Sequence, residues 1–86
     1  MRHLGDRQHR ARIVARIDRL ADGNPGDAKS VGAGLMELRC NFGPGFRVYY
    51  VRRGTEVIVL LAGGSKATQQ KDIETAKRLA QELDHD

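Results

Sequence analysis

Alternation between apolar and polar positions is strongest from Leu35 to Val51. Met36, Leu38, Cys40 and Phe42 fall on one side of an extended chain, and Glu37, Arg39 and Asn41 on the other. Phe46, Val48 and Tyr50 then alternate with Arg47, Tyr49 and Val51. This period of two predicts a pair of β-strands, and Gly43-Pro44-Gly45 supplies a tight turn between them. If Phe42 and Phe46 close a three-residue loop, Arg39 lies opposite Tyr49 and Arg47 opposite Asn41. One face of the hairpin is then core. The other presents two guanidinium groups and a phenol, a set suited to phosphate.

Upstream the period changes to that of a helix. Residues 1–5 read as loose, and Asp6 is placed to cap a helix reaching about Asp22. Ile13, Val14, Ile17, Leu20 and Ala21 form its apolar stripe. Arg12, Arg16 and Arg19 make a basic row at i, i+4 and i+7. A solvated helix face is the ordinary reading of such a row; contact with nucleic acid or an acidic partner is the other. Gly23-Asn24-Pro25-Gly26 ends the helix, and Asp27–Gly34 reads as a connecting loop.

After the hairpin, Arg53-Gly54 turns the chain into a strand over Glu56–Ala62, whose continuous apolar run suits burial on both faces. Gly63-Gly64-Ser65-Lys66 breaks the sheet. Thr68 is a good cap for a last helix over about Gln69–Leu83, with Ile73, Ala76, Leu79, Ala80 and Leu83 as its inner stripe. Helix, three-stranded antiparallel meander, helix is an α+β order, and residues 1–86 read as a single domain.

Composition narrows the functional classes. The chain has 86 residues, of which 40% are hydrophobic, and one cysteine. No internal disulfide is possible, and a zinc site built on several cysteines is excluded. No run approaches the roughly 20 apolar residues of a membrane span, and the N-terminus lacks the apolar core of a signal peptide, so a cytoplasmic location is expected. The formal charge is +4. From Leu38 to Lys71 stand Arg39, Arg47, Arg52, Arg53, Lys66 and Lys71 against Glu56 alone, a local +5. Such a concentrated field favours a polyanionic partner.

Candidate chemistry follows by exclusion. His3, His9 and His85 are far apart with no carboxylate cluster beside them, so no metal or other cofactor is expected. Cys40 lies on the apolar phase of its strand and reads as core. The Gly63–Lys66 stretch lacks the spacing of a P-loop. What remains is chemistry by arginine, lysine and tyrosine. RNA can be cut without metal because its own 2′-hydroxyl attacks the adjacent phosphate. Arginine then neutralises the crowded charge, and a lysine or tyrosine would need neighbouring cations to act as a base near neutrality. Arg39 opposite Tyr49, with Arg47 beside them, would supply that environment.

Three ordered segments carry a resemblance. Gly34-Leu35-Met36-Glu37-Leu38-Arg39, then Gly43-Pro44-Gly45-Phe46-Arg47-Val48-Tyr49-Tyr50, then Leu60 through Gln69 with Lys71-Asp72-Ile73, resemble the RelE/ParE toxin superfamily. The HigB-like "addiction module killer" branch, with its L-x-E-L-R, G-P-G-[YF]-R-V-Y and G-G-D-K-x-T-Q-x-x-D-I patterns, is the most similar. The resemblance implies a toxin of a type II toxin–antitoxin pair. Its activity would be metal-free, ribosome-dependent mRNA cleavage, silenced by a cognate antitoxin. Carried over by motif, Arg47, Tyr49 and Lys66 would be catalytic: a transition-state clamp, a stacking or proton-handling group, and a phosphate contact. Arg39, Arg52, Gln69 and Lys71 would bind RNA.

Two departures from the pattern change the expectation. Ser65 stands where the branch has Asp, which removes a carboxylate beside Lys66 and weakens any cap it provided. The chain also begins within what is, in the family, a helical hairpin preceded by a β-strand. A missing strand would expose a sheet edge, which predicts a homodimer, strand exchange or dependence on the antitoxin. A misassigned start codon gives the same pattern. Two other functions stay open: an inactive relative that retains only antitoxin binding, and a DNA gyrase inhibitor of the ParE kind.

Overall fold

Ile13, Ile17 and Leu20 recur at helical spacing, and in a computed structural model they form the inner stripe of α1 (Leu4–Ala21). The structure describes residues 4–54 and 57–84. Glu56, expected at the head of the last strand, lies outside them. The helix starts at Leu4, two residues before the expected cap at Asp6, a shift common at helix ends. Val14, expected in the inner stripe, is half exposed. The helix stops where the glycine predicts. Gly23 takes φ +88°; its N–H donates to the Leu20 carbonyl (3.0 Å), and that of Asn24 donates to the Arg19 carbonyl (2.9 Å). These two bonds are those of a Schellman motif.

The sheet has four strands rather than three. β1 (Ala28–Ser30), β2 (Met36–Cys40), β3 (Phe46–Arg53) and β4 (Val57–Gly64) run antiparallel in chain order. β1 falls inside the expected Asp27–Gly34 loop. Three residues are too few for alternation to be read, and β1 forms because it can pair with Met36–Leu38 of β2. It therefore covers part of the outer edge of β2. β4 is the other edge strand. Val57 and Leu60 are exposed on it, so the expectation that both its faces are covered holds only in part. It also runs through Gly63 and Gly64, which pair with Val48 and Arg47, so the sheet breaks at Ser65 and not at the glycines. Gly64 has no room for a side chain: a Cβ there would collide with the Asp72 carboxylate and the Thr68 hydroxyl.

The central hairpin keeps its expected faces in a different register. Arg39 pairs with Arg47, Glu37 with Tyr49 and Cys40 with Phe46, so the loop is five residues, Asn41–Gly45, and not three. Phe42 is then free to leave the ladder. It packs against His9 of α1 and Phe46, with ring centroids 5.7 Å away in each case, under the Arg12 guanidinium at 4.1 Å. This aromatic group ties the hairpin tip to the helix. A shift of two residues moves every pair but flips no side chain.

Both faces of the sheet are core. On one, Leu38, Val48 and Tyr50 pack with Leu20, Ile13 and Ile17 of α1. On the other, Tyr49 and Val51 pack with Ile73, Ala76 and Ala80 of α2 (Gln69–Asp84). Cys40 is a buried free thiol, its pKa pushed up by burial. α2 is reached through a 3₁₀ turn, Lys66–Thr68, capped by Ser65. The Ser65 hydroxyl accepts from the Ala67 N–H (3.2 Å), and the Ser65 N–H donates to the Thr68 hydroxyl (3.2 Å). Ser65 thus supplies the cap expected of an aspartate. Among the described residues no helix is long and apolar enough to cross a membrane.

Candidate active site

The covered second face changes what the hairpin's polar residues can do. Glu37 sits on it, fully buried. Its Oε2 accepts from the Tyr49 hydroxyl (3.1 Å) and from Gln69 Nε2 (2.6 Å), and lies 3.9 Å from Arg47 Nε. A carboxylate away from water is tolerable only with such partners. β2 supplies Glu37, β3 supplies Tyr49 and Arg47, and the first residue of α2 supplies Gln69. Three elements converge on one oxygen. The other oxygen, Oε1, and Arg47 Nε are both buried with no hydrogen-bond partner among the described residues.

Arg47 is held rather than solvated. Its side chain is 11% exposed, and Nη1 donates to the carbonyls of Gly45 and Phe46, each at 3.1 Å. Lys66 comes alongside it at the hairpin loop. A Cβ on Gly45 would stand 3.2 Å from Lys66 Cβ and 3.6 Å from Arg47 Nη1. Gly45 also takes φ +80°, so both space and conformation favour glycine. Lys66 itself is exposed. The site is therefore a fixed guanidinium backed by a buried carboxylate, with the exposed Lys66 side chain starting beside it.

Arg39 and Arg47 are cross-strand neighbours, an arrangement that like charges disfavour. Separate carboxylates relieve it. Arg47 turns to Glu37; Arg39 turns outward and donates through Nε (3.1 Å) and Nη2 (2.8 Å) to Asp27 Oδ1. Asn41 Nδ2 donates to the other Asp27 oxygen at 3.0 Å. The Asn41 bond, then the Arg39 guanidinium, hold the Asp27 carboxyl below its ordinary value. Among the described residues no group of three or more His, Cys, Asp or Glu is placed to hold a metal ion.

The chain matches the family described as "Phage derived protein Gp49-like" over residues 4–83. It belongs to that family. A Haemophilus influenzae (strain Rd) protein, described only as uncharacterized, is 54% identical over 74 residues, 86% of this chain and 75% of the relative. No solved structure matches significantly. The matched region contains every residue of the Glu37 cluster, Lys66 included.

In this Gp49-like chain the seven candidate residues divide into three groups. Arg47, Tyr49 and Gln69 meet at Glu37, with Lys66 beside them. Arg39 adjoins them but is committed to Asp27. Arg52 is exposed five residues from Arg47 along β3, roughly 16 Å away and on the opposite face. Lys71 is exposed two residues beyond Gln69, about 200° round α2. Gln69, expected at the RNA surface, points inward instead. Glu37 and Arg16 are the residues that alternation missed. Arg16 is no solvated member of the arginine row: Nη1 donates to the Arg39 carbonyl (2.6 Å) and Nη2 to the Pro25 carbonyl (3.0 Å), tying helix, turn and sheet together.

Tyr49 differs most from its expected role. The face was expected to present its phenol, but the ring is fully buried under α2 and cannot stack on a base without displacing that helix. Burial first, then the Glu37 charge and hydrogen bond, push its pKa well above the ordinary 10.0. Such a group favours the fold while it stays neutral, so its contribution is complete below pH 10 and is lost as pH rises further. Tyr50 is raised in the same sense by burial. Thermal melts from pH 7 to 11 should show Tm falling above pH 10, with a shallower fall in Tyr49→Phe. An equal fall in that variant would remove Tyr49 as a cause.

Proposed function

We propose that this Gp49-like protein is the toxin of a type II toxin–antitoxin pair, of the RelE/ParE and HigB-like kind, and that it cuts mRNA on the ribosome without a metal. The observation that carries this reading is the fixed Arg47 guanidinium with Lys66 beside it. In RNA cleavage the 2′-hydroxyl gives its proton to water as its oxygen attacks phosphorus, the bond to the 5′-oxygen breaks and that oxygen takes a proton from water, and a 2′,3′-cyclic phosphate and a 5′-hydroxyl result. Negative charge builds on the non-bridging oxygens between those events. A guanidinium already held by Glu37 and two carbonyls meets that charge with little reorganisation. Lys66 follows the phosphate as a flexible point charge.

Tyr49 is given no proton to move in this mechanism. Its hydroxyl is committed to Glu37, so it acts through Glu37 on Arg47 as a positioning residue. The ribosome aligns the 2′-hydroxyl and phosphorus, which relieves a chain this small of that task. A cognate antitoxin silences the toxin, and the concentration of positive charge in Leu38–Lys71 suits an acidic inhibitor.

Primer extension on a translated mRNA, with and without the purified protein and beside a ribosome-free control, tests the reading. In-frame cuts that require ribosomes are expected. Cuts on naked RNA would retain the nuclease and remove the ribosome from the mechanism. Folded protein that makes no cuts would overturn the reading in favour of an inactive antitoxin-binding relative or a gyrase inhibitor.

A further inference from the structure

The arginine row on α1 is not spread over an open helix face. Arg12, Arg16 and Arg19 line a groove of about 300 Å³ closed on its far side by Asn41 and Phe42 of the hairpin loop. Arg16 forms part of the wall and is occupied by backbone carbonyls. Arg12 lies over Phe42, and the Arg19 side chain has no ion pair or hydrogen bond among the described residues. The two stand seven residues apart, about 10 Å along the helix axis. A duplex is too broad for a groove of this size; one extended strand fits it.

We propose that this groove binds single-stranded RNA through its phosphates, as a second contact beyond the Arg47 site. Two arginines provide the phosphate contacts. The Arg12 guanidinium lying over Phe42 and the Asn41 amide, whose Nδ2 already donates one hydrogen to Asp27, are flat polar groups that serve bases rather than an acidic peptide. Continuity supports the same occupant. The hairpin loop that walls the groove with Asn41 and Phe42 also carries Gly45, against which Arg47 and Lys66 lie. A strand rounding this loop would touch both sites. The inference builds on the proposed nuclease function, and its test separates the two.

The probe is a fluorescein-labelled 2′-O-methyl RNA 12-mer, which lacks the attacking hydroxyl and cannot be cut. Anisotropy titrations over a salt series read affinity and the slope of log K against log salt, which is about −0.7 for each phosphate contact on a single strand. Replacing Arg12→Gln with Arg19→Gln should weaken binding about tenfold or more at low salt and flatten the slope by roughly 1.4. Arg19→Gln alone, remote from the aromatic cluster, should show about half of the slope change, so a loss of fold in the pair cannot hide the result. A matched loss of charge on α2, Lys77→Gln with Arg78→Gln, should leave the slope nearly unchanged. Equal effects from the two pairs, no wild-type binding at low salt, or a groove pair that loses only a poly-glutamate peptide would each overturn the proposal. Binding without cleavage in the ribosome assay would reject the nuclease and keep the groove.

Discussion

Arg47→Lys should lower ribosome-dependent cleavage by about 10²–10³-fold while the protein stays folded. That range is typical for loss of one pre-positioned donor to a developing oxyanion. Lysine keeps the positive charge opposite Glu37, so the buried carboxylate is not stranded. It cannot keep the geometry. The arginine's Nη1 is fixed by the Gly45 and Phe46 carbonyls while Nε faces Glu37, and a single ammonium on a flexible stem cannot meet both demands and a phosphate. Arg47→Ala is the less informative variant. With the side chain only 11% exposed, its removal opens a gap and leaves Glu37 without a counter-ion, so lost activity and lost stability would come together. The comparison to make is kcat for wild type and Arg47→Lys, beside their urea midpoints. Activity within threefold of wild type in the lysine variant would reduce Arg47 to a structural ion.

The sequence carried the faces of the hairpin but not its register. Leu38, Cys40, Val48 and Tyr50 lie on one side and Glu37, Arg39, Arg47 and Tyr49 on the other, as alternation requires. Loop length was not legible, because Gly43-Pro44-Gly45 suits a three-residue turn locally. What extends it to five is tertiary: Phe42 leaves the ladder to pack with His9 and Phe46. β1 was not legible because Ala-Lys-Ser has neither length nor alternation.

The site was half legible. Arg47 and Lys66 could be named because the motifs that resemble the HigB-like branch contain them. Glu37, in the first of those motifs, reads as a solvated strand residue, since a carboxylate on the polar phase of a strand faces water by default. Its burial depends on α2 lying over the sheet's second face, which the alternation of one hairpin cannot report. A signal was nonetheless present. The polar phase of the second strand includes Tyr49 and Val51, two residues that a solvated face would not favour together. They mark the second core, and Glu37 is the cross-strand neighbour of Tyr49.

Glu37→Ala should cost about 3 kcal/mol of stability, the lower end for breaking a buried ion pair by removing one partner. It strands three groups together: the Tyr49 hydroxyl, the Gln69 amide and the Arg47 guanidinium each lose the oxygen they face. For a domain of this size that loss corresponds to a fall in Tm of roughly 15 °C. Glu37→Gln should recover much of it. An amide oxygen can still accept from Tyr49 and Gln69, and the amide nitrogen would take the place of Oε1, which already lacks a partner. The glutamine cannot supply charge, so Arg47 should loosen and activity should stay low although the fold is restored. Urea unfolding of both variants, beside cleavage assays at a temperature where both are native, separates these effects. Glu37→Ala within 0.5 kcal/mol of wild type, the ordinary range of a neutral surface change, would mean that the carboxylate contributes nothing where it lies. Full activity in Glu37→Gln would show that Arg47 is positioned by the loop carbonyls alone.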